Sequence, residues 1–404
     1  MPRSTRNAQT AFQHPDIVAK YIKKEVESKH TAGPFPTPPF PNFVVSSLGV
    51  RPKKTGGARL IMDLSRPFDN SVNDFISKEA FTLRFSNIDE AVALVISTGV
   101  GAYMAKMDVK SAFRLIPVRK EDWNLLGYCH DNQYYFDLVL PFGLRSSPAI
   151  FNRLSEFIKW LLITKGPSRD WIHYMDDFFV VCRSKTECEK AMKYMTQLCE
   201  DLGVPLAENK TEGPSQILTF LGVGIDGIKQ TLFVPASKMQ EILVEFSLYE
   251  RRQRASKRQI LSLVGKLSAI TKCVPAGRIF LRRMLNLAHR VKRLDHTIHL
   301  NAEFKADLEW WKQFLPLWNG FASFVEPLWI DANKLQLFTD ASACVGCGAI
   351  YGKSWFNYQW PMWVLELNPP IAWYELVPIY FSCVVWGHQW FGKRVEFWSD
   401  ARPR

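Results

Sequence analysis

The chain has 404 residues with 51 Lys plus Arg against 39 Asp plus Glu, a formal charge of +12, and is 47% hydrophobic and 13% aromatic. This length predicts two to four domains, and the apolar content excludes a disordered polypeptide. The cationic balance fits a polyanionic partner, nucleic acid above all, and no run approaches the roughly 18 uninterrupted apolar residues of a membrane span. The first residues lack the basic-then-apolar order of a signal peptide, and the eight cysteines are scattered. A soluble, intracellular protein in a reducing compartment is expected. Cys344 and Cys347 have no second pair nearby, so they read as small strand residues and not as a zinc site.

In chain order, residues 15–30 predict a short charged helix. "GPFPTPPFP" (33–41) has five prolines in nine residues and predicts an extended, polyproline-like connector. "FVVSSLGV" and "ARLIMDL" read as strands around the basic turn "RPKKTGG". "AYMAKMDVKSAFRLIPV" (102–118) runs from an apolar strand through Asp108 into a helix-like start. "QYYFDLVL" alternates as a strand, and a helix follows Pro148. "SKTECEKAMKYMTQLCEDLG" (184–203) is a helix capped by Ser184 and stopped at Gly203. "LTFLGVGID" and "QTLFV" form a hairpin. Residues 236–318 are mostly helical and basic, with "ERRQRASKR" and "RIFLRRMLNLAHRVKR" as the main positive segments, solvated faces or phosphate contacts. Strands return in "LQLFTDASACVGCGAIYG", "SWFNYQWP" and "RVEFWSD".

"HYMDDFFVV" (173–181) sets Asp176 and Asp177 into an apolar run, between two strand-like halves of a hairpin. Acidic turns are common, but Asp108 ends a second apolar strand upstream. Three hard carboxylates on neighbouring strand ends suit a Mg²⁺ pair, which activates a hydroxyl and stabilises a pentavalent phosphorus.

The ordered series "MDVKSAF", "LPFGLRSSPAIFNRL", "YMDD", "AENKTE" and "FLG" resembles the polymerase motifs of reverse transcriptases. The resemblance implies an α+β multidomain fold, a right-hand polymerase with fingers, palm and thumb. It implies Asp108 and Asp176 as principal metal ligands with Asp177 beside them, and the Val109 carbonyl within reach of a metal. Phe113 falls where an aromatic ring under the sugar selects deoxynucleotides, or it is a core residue. Arg59 matches the arginine that reaches the incoming triphosphate, with Lys53 or Lys54 nearby. Phe142 and Gly143 replace the Gln-Gly of retroviral enzymes, Gly143 letting template or nucleotide approach the backbone. Lys210 matches the lysine that protonates leaving pyrophosphate, or is a solvated loop lysine. Leu221 and Gly222 match the hairpin that grips the primer end.

A second set of carboxylates follows: Asp340 ends a strand, Glu375 sits on an amphipathic helix and Asp400 ends "VEFWSD". In this order after such a region they resemble the metal ligands of ribonuclease H, which cleaves RNA in an RNA–DNA hybrid. Since the sequence stops at "ARPR", an incomplete ribonuclease H-like segment is expected. "RLIMDLSRPFDNSVND", "LVGKLSAITKCVPAGRIFLRRML" and "ADLEWWKQFLPLWNG" look like retrotransposons of the DIRS type, which use a tyrosine recombinase. The expected division is an N-terminal helix and connector (1–42), fingers and palm (43–234), helical thumb and connection (235–330) and a partial ribonuclease H-like domain (331–404). The expected activity is RNA-directed DNA polymerisation with Mg²⁺ or Mn²⁺, dNTPs, an RNA template and a DNA primer. The alternative is a nucleic-acid-binding remnant of a mobile element with the same fold and no turnover.

Overall fold

The structure is a computed structural model of the chain and describes residues 3–52, 58–67, 69–250, 252–324, 329–390 and 393–399. It divides into two compact units, Met1–Leu221 and Gly222–Arg404.

The first unit runs through α1 (Pro15–Glu27), β1 (Thr31–Phe35), β2 (Ser47–Pro52), β3 (Ala58–Asp63), β4 (Tyr103–Asp108), β5 (Gly127–His130), β6 (Gln133–Asp137), α2 (Ser147–Lys165), β7 (Trp171–Tyr174), β8 (Asp177–Cys182), α3 (Lys185–Asp201) and β9 (Glu212–Ser215). Its central sheet has the order β9-β4-β8-β7 and is antiparallel throughout. Phe178, Phe179, Val180 and Val181 are fully buried in β8, each contributing roughly 1.5–3 kcal/mol by burial. Phe151, Ile158 and Leu162 of α2 and Cys188, Ala191 and Met195 of α3 pack with Met107 and Val180 of the sheet. The local signals for these helices are plain. Pro148 occupies the first turn of α2, where its missing N–H costs nothing. The Ser184 hydroxyl accepts the Glu187 N–H at 3.2 Å, and Gly203 takes φ +67° just past the end of α3.

β2 and β3 pair antiparallel with Arg51 opposite Arg59. The turn that carries Lys53 and Lys54 lies outside the described residues. The proline-rich stretch departs from expectation. Part of it belongs to β1, which pairs antiparallel with β6 at the edge of a five-stranded sheet, its register shifting between Ala32 and Phe35. An edge strand tolerates proline because the missing N–H removes no ladder bond on the outer side.

The second unit continues with β10 (Val223–Asp226) and β11 (Thr231–Phe233), the expected hairpin. The helices α4 (Ala236–Glu250), α5 (Lys257–Ile270), α6 (Ile279–His289) and α7 (Ala302–Leu317) follow. Part of the basic run is neutralised locally: Arg283 pairs with buried Asp307, and Lys266 with Glu241 and Glu245. A three-stranded antiparallel sheet of β12 (Leu337–Ala341), β13 (Gly346–Tyr351) and β14 (Ser354–Gln359) is covered by α8 (Ile371–Trp386). Of "RVEFWSD", Arg394–Val395 is strand and pairs parallel with Trp329–Ile330, and Asp400 lies outside the described residues. Among the described residues no helix is long and apolar enough to cross a membrane.

Candidate active site

The hairpin β7–β8 turns through Met175 and Asp176. Met175 takes φ +56°, a conformation a residue with a Cβ adopts only when its surroundings impose it. The flanking strands do so: Trp171 and Phe178 are buried, and β8 is paired on both sides. The register puts Asp177 directly opposite Asp108 of β4. The Val109 N–H donates to the Asp176 carbonyl at 2.9 Å, tying the turn to the end of β4. The Asp108 carbonyl accepts from the Ala207 N–H at 2.8 Å, and the Lys110 N–H donates to the Pro205 carbonyl at 2.8 Å. The stretch leading to Lys210 is therefore laced to the same strand end. Among the described residues the Val109 carbonyl accepts no hydrogen bond.

Lys210 Nζ donates to both Asp108 oxygens at 2.8 Å each. Burial works against its ammonium, but the hydrogen bonds and charge of Asp108 outweigh it and the lysine pKa is raised. Burial, then the Asp108 charge, raises Asp176 above the usual carboxylate range. Burial, the hydrogen bond shared with Asp108 and the Asp176 charge push Asp177 up to about 7. The neighbouring negative charges and burial thus disfavour ionisation of Asp176 and Asp177, and a bound cation relieves that conflict.

Among the described residues no three acidic, His or Cys side chains are grouped as a finished cation cage. Here the Asp108 carboxylate faces an ammonium. The donor set nonetheless fits a divalent cation. It offers carboxylate oxygens and a free carbonyl, the hard ligands Mg²⁺ and Mn²⁺ prefer, and the Lys210 ammonium stands in for positive charge at Asp108.

These aspartates, Val109, Phe113, Phe142, Arg59 and Lys210 line one cavity of about 1000 Å³. Phe113 meets Phe142 at 5.2 Å between ring centres and Phe151 at 5.9 Å, so one ring serves both core and cavity wall. Gly143 takes φ +112°, and a Cβ there would lie 2.1 Å from the Met62 carbonyl oxygen. The group that approaches it is a backbone carbonyl of β3. Leu221 and Gly222 have successive positive φ values of 48° and 75°, as tight turns require.

Of the second carboxylate set the structure describes Asp340 and Glu375. Asp340 lies on β12 and lines an open cavity with Phe338, Ile350 and Trp355. Glu375 lies on α8, which packs on β12 and β13, but it is not among the residues lining that cavity. Asp400 lies outside the described residues.

Two groupings escaped the sequence reading. Buried Asn73 donates to the Gly143 carbonyl at 2.9 Å and accepts from the Arg145 N–H at 2.8 Å, joining the loop after β3 to "PFGLR". Buried Arg114 is bidentate to Asp137 at 2.7 and 3.0 Å and reaches Glu25 at 2.7 and 2.9 Å. A lone arginine inside the apolar "AFRLI" was the available signal.

Residues 51–225 match the family described as reverse transcriptase (RNA-dependent DNA polymerase). That stretch is 175 of the 404 residues. The chain is 23% identical over 352 residues to the transposon Tf2-3 and Tf2-4 polyproteins of Schizosaccharomyces pombe, an alignment covering 83% of the chain and 24% of each relative. The chain thus spans about a quarter of the length of these curated relatives. Among solved structures, it is similar to the foamy viral protease-reverse transcriptase dRH in complex with double-stranded DNA. That match has a TM-score of 0.60 and 14% identity, over 98% of this chain and 64% of the other. The foamy viral protease-reverse transcriptase in complex with RNA/DNA hybrid matches with a TM-score of 0.59 and 15% identity, over 95% and 48%. The matched stretch thus sits in a chain whose mixed α/β fold is similar to that of these solved structures.

Proposed function

We propose that the chain is an RNA-directed DNA polymerase of a retrotransposon, extending a DNA primer on an RNA template from dNTPs. The observation that carries this is the convergence of Asp108, Asp176, Asp177 and Lys210 at the end of one antiparallel sheet. Asp108, Asp176, Asp177 and the Val109 carbonyl would hold the divalent metal, Mg²⁺ or Mn²⁺. Bound there, the metal supplies the charge that makes a primer 3′-hydroxyl nucleophilic and stabilises the phosphoryl transition state. The chain's own groups do the rest. Arg59 orients the triphosphate by charge-assisted hydrogen bonds. The Phe113 ring lies under the sugar and excludes a 2′-hydroxyl. Phe142 and Gly143 form the adjoining floor, and Leu221 and Gly222 hold the primer end. Lys210, raised in pKa and so protonated at neutral pH, gives its proton to the departing pyrophosphate.

The functional division into 1–42, 43–234, 235–330 and 331–404 belongs to the same proposal, with the basic helices of 235–330 contacting duplex phosphates. Asp340, Glu375 and Asp400 are its ribonuclease H metal ligands. The narrower placement among DIRS-type elements rests on sequence strings alone, whereas the matched relatives are Tf2 polyproteins.

A second reading is a binding remnant with the same fold and without turnover. Oligo(dT) extension on poly(rA) with Mg²⁺, run beside a gel shift on the same duplex, separates the two. Extension supports the polymerase, and a shift without extension supports the remnant.

A further inference from the structure

The polymerase residues leave one wall of the catalytic cavity unexplained. α1 supplies Tyr21, Lys24 and Glu25 to that wall, facing the same space as Arg59 and the aspartates. The helix is not loosely laid there. Glu25 is buried and receives Arg114 Nε at 2.9 Å and Nη2 at 2.7 Å, while His30 Nδ1 lies 3.0 Å from the same oxygen. The Arg114 guanidinium is also bidentate to buried Asp137, whose second partner is the Thr31 hydroxyl at 2.7 Å. Arg114 directly follows Phe113 in the turn Ala112–Leu115. One guanidinium therefore pins the C-terminal turn of α1 to the turn that carries the sugar-facing ring. Such buried ion pairs add little net stability beside apolar packing, but they fix geometry closely when every donor is used.

The residue beside this anchor is a lysine. Lys24 is exposed and lines the cavity, whereas its neighbour Lys23 faces Glu27 at 4.0 Å. Among the described residues the Lys24 ammonium has no carboxylate partner. Lys210, which lines the same cavity, is already held by Asp108. An incoming nucleoside triphosphate brings a polyanion into this space, and an unengaged ammonium on a rigid wall neutralises it without rearrangement.

We propose that Lys24 contacts the polyphosphate of the incoming nucleotide, with Glu25, Arg114 and Asp137 as positioning residues that hold α1 in the cavity wall. The proposal rests on the polymerase reading above. It favours the nucleotide over the phosphates of the template or primer because Lys24 shares one cavity with the aspartates and Phe113.

The test is single-nucleotide incorporation of dTTP on poly(rA)–oligo(dT). It is run beside dTTP binding to a complex with dideoxy-terminated primer and beside the affinity for primer–template alone. Lys24→Ala should raise KM and weaken dTTP binding about 5- to 10-fold, a typical loss for one charge contact. Its kcat and primer–template affinity should stay within about twofold of wild type, and Lys24→Arg should restore the nucleotide affinity. Glu25→Gln, which loosens the anchor and keeps its shape, should move KM in the same direction by less. Unchanged nucleotide binding in Lys24→Ala overturns the proposal. So does weakened primer–template affinity with KM unchanged, which would make Lys24 a strand contact. A wild-type chain that binds duplex but incorporates nothing overturns the polymerase reading itself, and this inference with it.

Discussion

Lys210 and Asp108 are joined by two hydrogen bonds of 2.8 Å, yet the lysine side chain is 56% exposed and the aspartate side chain 6%. The carboxylate is fixed and the ammonium is free to withdraw. The ammonium therefore neutralises Asp108 now and competes with any metal that binds there.

Two opposite effects are expected from Lys210→Ala. Removing the competing ammonium should let Mn²⁺ bind more tightly, seen as a lower dissociation constant in calorimetry. Removing the proton donor should lower kcat by roughly 10²-fold. Loss of metal affinity in this variant would contradict the competition.

Phe113 packs on Phe142 and Phe151 and faces the cavity. Phe113→Ala should keep dNTP incorporation and raise rNTP incorporation relative to it by roughly 10- to 100-fold. Competing dTTP and UTP on poly(rA) measures the ratio. An unchanged ratio would make Phe113 a core residue only.

Removing Arg114 takes the guanidinium from two buried carboxylates, leaving Glu25 with His30 and Asp137 with the Thr31 hydroxyl. Arg114→Leu should cost about 3–5 kcal/mol, read as a lower urea midpoint of unfolding. The triple variant with Glu25→Gln and Asp137→Asn should recover part of that loss, because neutral amides tolerate burial better than charges that have lost their guanidinium.

His173 is buried on β7, 3.2 Å from the Asn152 side-chain oxygen. Burial lowers its pKa to about 4, against a weaker opposing pull from Glu156. Its folded pKa lies below its unfolded value near 6.5, so the unfolded chain binds the extra proton between these limits. Stability then falls as pH drops from about 6.5 to 4, by up to roughly 3 kcal/mol from this group. His173→Gln should flatten that limb relative to wild type in urea titrations at pH 7 and pH 4.5.

Much of the site was legible because its chemistry contradicts its surroundings. Two acids in an apolar hairpin and a third at a strand end have few structural explanations, and Asp108 and Asp177 are indeed register partners. Ser184 and Pro148 marked their helices for equally local reasons. Long-range relations were not legible. Glu25, Arg114 and Asp137 are far apart in the chain, and of the three only Arg114, inside an apolar run, carries a local signal. The proline-rich stretch looked like a connector because pairing with β6 depends on tertiary placement, which local composition does not carry. Gly143 was read as room for a ligand, whereas the Met62 carbonyl comes within 2.1 Å of where its Cβ would stand.

The central claim is that the carboxylates at the end of the β9-β4-β8-β7 sheet carry out nucleotidyl transfer. The most direct measurement is RNA-templated primer extension with Mg²⁺ by wild type and by Asp176→Asn, with duplex binding followed in parallel. Wild type should extend the primer. Asp176→Asn should lose at least about 10³-fold in rate and still bind the duplex. An inactive wild type, or an Asp176→Asn variant with full activity, would contradict the account.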